Sequence, residues 1–100
     1  MTQPAPHVKR PVLVDGIPVG EVGWYRQDGK VWLHWWIHED YRRTGRATLA
    51  MFSLLSETPL PAYALIRPWN IASIALAVSL GGIKIEEDGE NVLFSFGSAE

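Results

Sequence analysis

Arg42, Arg43 and Arg46 surround Gly45 in the stretch HEDYRRTGRATLAMFSLL, immediately ahead of an apolar run. Where a helix starts, the N–H groups of its first turn lack partners within the helix, and the aligned peptide dipoles add about half a positive charge there. A glycine-containing loop that feeds such a terminus can hold a phosphate or pyrophosphate on backbone amides, and arginines add charge and forked hydrogen bonds. An arginine cluster by itself is an ordinary solvated surface, so the elements around it decide its meaning. A second reactive group, His34, His38 and Glu39, lies on or just past the aromatic run KVWLHWWIH. A histidine there can take up a proton near neutral pH, directly or through water, and spacing does not choose among the three.

Composition removes several alternatives. One hundred residues, 47% of them hydrophobic and 20% charged, make one ordinary globular domain with a single core. The formal charge of −2 sets the arginines apart as a local feature and argues against a nucleic-acid partner. Cysteine is absent, which excludes disulfides, thiolate metal ligands and a cysteine nucleophile. Of the three histidines, only His34 and His38 are four apart, and they fall in a strand, so no metal site is expected. The opening MTQPAPHVKRP has no apolar core of a signal peptide, and no run is long enough to span a bilayer. A cytoplasmic location without membrane contact is the resulting expectation.

The elements that position these groups follow from turn chemistry and periodicity. Asp15-Gly16, Asp28-Gly29 and Asp88-Gly89 each separate runs rich in β-branched and aromatic residues, a hairpin signal. Strands are therefore expected at about 10 to 14, 17 to 26, 30 to 38, 83 to 87 and 91 to 96, behind a flexible segment at 1 to 9. GRATLAMFSLLS, residues 45 to 56, is apolar on nearly every face, as for a helix on a sheet covered by neighbours. AYALI, residues 62 to 66, reads as a short buried strand, so residues 30 to 66 form a right-handed crossover between parallel strands. A second helix spans about 71 to 80, with Asn70 as its N-cap, Trp69 stapled onto Ile74, and Gly81-Gly82 closing its end. The expected order is β-β-β-α-β-α-β-β, a mixed α/β domain over residues 10 to 97 with a mostly antiparallel sheet.

IHEDYRRTGRATL closely resembles the acetyl-coenzyme A pyrophosphate loop of the GNAT N-acetyltransferase superfamily, whose pattern is Gln/Arg-x-x-Gly-x-Gly/Ala after the fourth strand. Arg42, Gly45 and Ala47 occupy the patterned positions. NIASIALAVSLGGI, residues 70 to 83, is similar to a later segment of the same family, with Asn70, Ser73, Leu76, Leu80 and Gly81 on its positions. The resemblance covers residues 10 to 96. It implies acetyl-coenzyme A as co-substrate, gripped by Arg42, Arg43, Thr44, Gly45, Arg46, Ala47 and Thr48. It further implies pantetheine contacts from the backbone of Trp36, Ile37 and His38 and from Asn70 and Ser73, and direct acetyl transfer to an amine in a ternary complex. The candidate bases remain His34, His38 and Glu39.

Two departures from the family pattern qualify that expectation. Many relatives carry a tyrosine seven residues after the asparagine, directed at the coenzyme A sulfur, and this chain has Ala77 there; Ser73 or Ser79 are the hydroxyls left on that helix. Relatives also begin with a strand and two helices that form one wall of the amine site, whereas this chain enters at their second strand. The alternative reading is a binding or structural module of the same fold without catalysis. Strand alternation puts Trp32 and Trp36 on one face and Trp35 on the other. An aromatic face left bare would be an interface, a homodimer among its forms.

Overall fold

The first two Asp-Gly pairs turn the chain through two left-handed residues each: φ is 51° at Asp15 and 82° at Gly16, then 54° at Asp28 and 77° at Gly29. This conformation follows the twist of antiparallel neighbours. It joins β1 (His7–Val14), β2 (Ile17–Gln27) and β3 (Lys30–Ile37) into a meander. The computed structural model describes residues 7–42 and 45–97. β1 begins at His7 rather than at residue 10, so part of the segment expected to be flexible is strand, and Pro11 is accommodated because β1 is a sheet edge.

The third Asp-Gly behaves differently. Asp88 keeps a negative φ, and its Oδ1 accepts hydrogen bonds from Glu90 N at 3.0 Å and Asn91 N at 2.9 Å. Those two amides hold the Asp88 carboxyl below its ordinary range. A side-chain-closed loop thus joins β5 (Ile83–Glu87) to β6 (Val92–Phe96), and the hairpin expected there forms without the left-handed Asp of the first two.

Between the meander and that hairpin, a short 3-10 turn (Glu39–Tyr41) leads into α1 (Arg46–Leu55), β4 (Ala62–Ile66) and α2 (Ile71–Ser79). The six strands form one sheet in the order β1-β2-β3-β4-β6-β5, parallel only between β3 and β4. Registers place Val22, Leu33, Ala64 and Phe94 on one face, and both helices pack there, α1 through Met51 and Leu54 and α2 through Ala77 and Leu80. Arg10 reaches from β1 to Glu57 just past α1, with Nη1 donating to Oε2 at 3.1 Å.

Coverage of α1 is one-sided. Met51 and Leu54 are fully buried, but Leu49 is 71% exposed and Phe52 52% exposed, so the helix is not enclosed on every face as its composition implied. α2 is capped at both ends: Asn70 Oδ1 accepts from Ser73 N at 3.2 Å, and the Gly81 and Gly82 amides return to Val78 and Ala77 carbonyls. Trp69 is 75% exposed and Ile74 faces the core, so Ile74 is turned toward the sheet rather than toward a staple. On the opposite sheet face, Trp36 and Leu65 are exposed and Trp32 packs against Tyr63 with ring centroids 5.9 Å apart. No helix among the described residues covers that face, and none is long and apolar enough to cross a membrane.

Candidate functional site

The parallel pairing of β3 with β4 lasts for only Val31↔Ala62 and Trp32↔Tyr63. Beyond it the strands diverge, because β4 follows β6 while β3 stays with β2 as far as Ile37. A gap opens in the sheet, lined by backbone that has lost its neighbour. His38 N donates to Val19 O at 2.7 Å, continuing the register that sets Trp36 against Glu21 and His34 against Gly23. Antiparallel partners alternate between bonded and non-bonded pairs, so His34, Trp36 and His38 direct their backbone groups at β2, and Leu33, Trp35 and Ile37 direct theirs at the gap.

The register divides the backbone set expected from sequence. The His38 amide is taken by Val19, Trp36 faces β2, and the Ile37 carbonyl accepts Arg42 Nε at 3.3 Å. Trp35 lies between Leu33 and Ile37 on that edge, with its main chain directed into the opening. Sequence reading missed it because side-chain alternation is visible in KVWLHWWIH, whereas the choice of backbone edge depends on which partner β2 presents.

Two cavities meet at the gap. One, of about 670 Å³, runs between the end of β3, the turn before α1 and the flank of α2, and is lined by Trp36, Tyr41, Arg42, Gly45, Ala47 and Thr48 among others. The other, of about 470 Å³, is lined by Tyr25, Asp28, Trp32, His34, Leu65 and Arg67. Trp35, Asn70 and Ser73 belong to both walls. Trp35 Nε1 donates to Ser73 Oγ at 3.0 Å, tying β3 to the first turn of α2 across the opening.

At the far end of the larger cavity, Gly45 is left-handed, with φ 80°, and no side chain caps the start of α1. A Cβ at Gly45 would meet nothing within 4 Å, so the residue opens directly onto the cavity. Arg42 and Arg46 are exposed, and Arg46 engages a neighbour of its own. Arg43 and Thr44 lie outside the described residues.

The three candidate bases separate cleanly. His38 is exposed, lines neither cavity, and its Nδ1 accepts from Asp40 N at 3.2 Å as the cap of the 3-10 turn. Glu39 lies in that turn, exposed and outside both cavities. His34 lines the smaller cavity, half-buried, with Nδ1 3.8 Å from Glu21 Oε2 and its ring beside Tyr25. Burial pushes its pKa below the ordinary 6.5, with Glu21 opposing and Lys9 and His7 assisting. Gly23 is needed beside it, since a Cβ there would lie 2.6 Å from His34 Nε2 and collide with the Val8 carbonyl.

No described residues form a cluster of His, Asp or Glu suited to a metal. Ala77 is fully buried and lines neither cavity, so a tyrosine at that position would have to enter the core. Ser79 lines the larger cavity and donates its hydroxyl hydrogen to the Leu76 carbonyl at 2.9 Å.

No family model matches the sequence, and no curated protein matches it. Solved structures do match in fold. An acetyltransferase of the GNAT family from Bacillus anthracis is 20% identical, covering 88% of this chain and 64% of its own, with a TM-score of 0.73. An acetyltransferase from Agrobacterium tumefaciens is 20% identical over 83% of this chain and 55% of its own, with a TM-score of 0.71. RimJ from Mycobacterium smegmatis, in complex with CoA-disulfide, is 20% identical over 90% of this chain and 52% of its own, with a TM-score of 0.70. The chain has the GNAT acetyltransferase fold and spans roughly half to two thirds of the length of these neighbours.

Proposed function

We propose that the chain binds acetyl-coenzyme A in the larger cavity and passes the acetyl group directly to an amine presented through the smaller one. The observation that carries this reading is that the two cavities meet on Trp35, Asn70 and Ser73, at a break in the sheet. A transfer between two substrates needs such a junction, because the reacting atoms must lie within bonding reach without either substrate leaving its site.

The diphosphate end of the co-substrate suits the start of α1, where Gly45, Ala47 and Thr48 line the cavity and Arg42 adds charge. Arg43, Thr44 and Arg46 complete the loop. Pantetheine, a flexible amide chain, fits along Trp35 and Ile37, where strand backbone lacks a neighbour, with Asn70 opposite. The thioester supplies an activated acyl carbon. The Trp35 amide, directed into the opening, is placed to donate to its carbonyl oxygen as negative charge develops there. His34, kept neutral by burial, takes the amine proton, and Glu21 behind it stabilises the imidazolium that results.

The smaller cavity is bordered by the exposed Asp28 and Leu65, so its amine can be carried on a large molecule such as a protein lysine or amino terminus. A second reading, a cofactor-binding module without catalysis, is favoured by the buried Ala77 where many relatives place a tyrosine.

Titration with acetyl-coenzyme A, followed by tryptophan fluorescence, tests the binding half: saturable quenching is expected, and Gly45→Glu should abolish it. Thiol release with panels of peptides and small amines tests the transfer half. No saturable binding overturns both readings, whereas binding with no thiol release across the panel leaves the module.

A further inference from the structure

We propose that Arg67 selects the acceptor by holding a carboxylate a few bonds from the reacting amine, which makes the acceptor a free α-amino acid or a peptide amino terminus with an acidic first residue; this rests on the transferase reading above.

Arg67 stands where the acceptor must bring its amine. Trp32 is paired with Tyr63, so Tyr63 and Leu65 share the sheet face of Trp32 and His34. Arg67 follows Leu65 by two residues and lines the smaller cavity from the β4 side of the gap, with His34 on the β3 side. Its carbonyl accepts the Asn70 amide at 3.0 Å, which ties it to the start of α2, where the two cavities meet. Nη1 donates to the Glu90 carbonyl at 3.3 Å, anchoring the guanidinium and leaving its other nitrogens open. No carboxylate among the described residues lies within ion-pair distance of Arg67. Asp88 feels the Arg67 charge, but its Oδ1 is engaged by the Glu90 and Asn91 amides. A guanidinium with one nitrogen held and an edge open matches the two oxygens of a carboxylate.

The neighbouring charges point the same way. Asp28 lies in the β2–β3 turn, and β3 runs five residues, about 17 Å, from Lys30 to Trp35, which sets Asp28 far from the junction. Glu21 is beside His34, with Oε2 3.8 Å from Nδ1. Lys9 and His7 both bring positive charge to the His34 side. Around the reacting amine no carboxylate is left for a second cation, and Arg67 repels one, so diamines and lysine-rich tails are poor acceptors. In the transfer, the nitrogen–carbon bond forms, the carbon–sulfur bond breaks with its electron pair going to sulfur, and His34 takes the proton that nitrogen loses. The carboxylate on Arg67 is unchanged throughout; it orients the amine.

Thiol release with matched acceptors tests the assignment. Glutamine against glutaminamide varies the α-carboxylate, and the amidated tripeptides Glu-Ala-Ala and Gln-Ala-Ala vary the side chain. At least one pair should favour its carboxylate member by about 10- to 100-fold in kcat/KM, the range for a hydrogen-bonded charge, and the pair that does so identifies the source. Arg67→Gln should bring that ratio to within about twofold of unity, and Arg67→Lys, which keeps the charge without the fork, should leave it between. The ratio compares two acceptors on one protein, so a variant that only loosens the fold lowers both and leaves it unchanged. Thiol release with no preference for either carboxylate, or a preference that survives Arg67→Gln, overturns the assignment and leaves the transferase reading standing. Acetyl-coenzyme A that binds and releases no thiol with any acceptor overturns both.

Discussion

His34 and Gly45 carry the sharpest residue-level consequences. Because burial lowers the His34 pKa, the ring is neutral through the neutral range, and kcat/KM should rise through a pKa below 6.5 and then level off. His34→Gln should lower kcat/KM by about 10²- to 10⁴-fold and remove that acid limb; an unchanged pH profile would assign the proton to another group. The linked stability effect has a definite sign. Between the lowered and the ordinary pKa the unfolded chain binds more protons than the folded one, so stability rises with pH there and is lost as pH falls below 6.5. At Gly45 the left-handed backbone, φ 80°, makes any side chain costly even though the space is open. Gly45→Ala should reduce unfolding free energy by about 1 kcal/mol and weaken acetyl-coenzyme A binding, measured by urea denaturation and titration.

At the scale of the elements, α1 offers a contrast between its two faces. Met51→Ala should cost about 2 to 5 kcal/mol in urea unfolding, since Met51 is fully buried against the sheet, whereas Leu49→Ala should fall within about 0.5 kcal/mol. Equal costs would mean that something covers the outer face of the helix. That outer face was not legible in GRATLAMFSLLS, whose apolar residues lie all around; only the arrangement of a single sheet on one side decides which of them are enclosed. The meander, by contrast, could be read from two Asp-Gly pairs and strand alternation, and the crossover from the change of period between KVWLHWWIH and AYALI. The third Asp-Gly differs in conformation because the Asp88 carboxylate closes its loop by accepting two amides. The site was half legible. The loop from Arg42 to Thr48 and the cap at Asn70 stand out as motifs, while Trp35 emerges only from the strand register, and the choice of His34 over His38 only from which face borders the cavity.

For the molecule as a whole, a net charge of −2 repels an anionic nucleotide, so the arginines beside Gly45 must supply attraction locally. Acetyl-coenzyme A affinity should therefore weaken as potassium chloride is raised toward physiological ionic strength and beyond, and Arg42→Gln should flatten that dependence. Affinity that ignores salt would place the diphosphate away from the arginines. On the proposed reading the two substrates meet through a gap that exists because β3 and β4 pair over only two residues. A crystal structure of the chain with bound coenzyme A tests that arrangement most directly. It should show the diphosphate on the amides from Gly45 to Thr48 and the sulfur beside Ser73 at the meeting of the two cavities. Coenzyme A seated elsewhere, or a sulfur remote from Trp35, Asn70 and Ser73, would contradict the account.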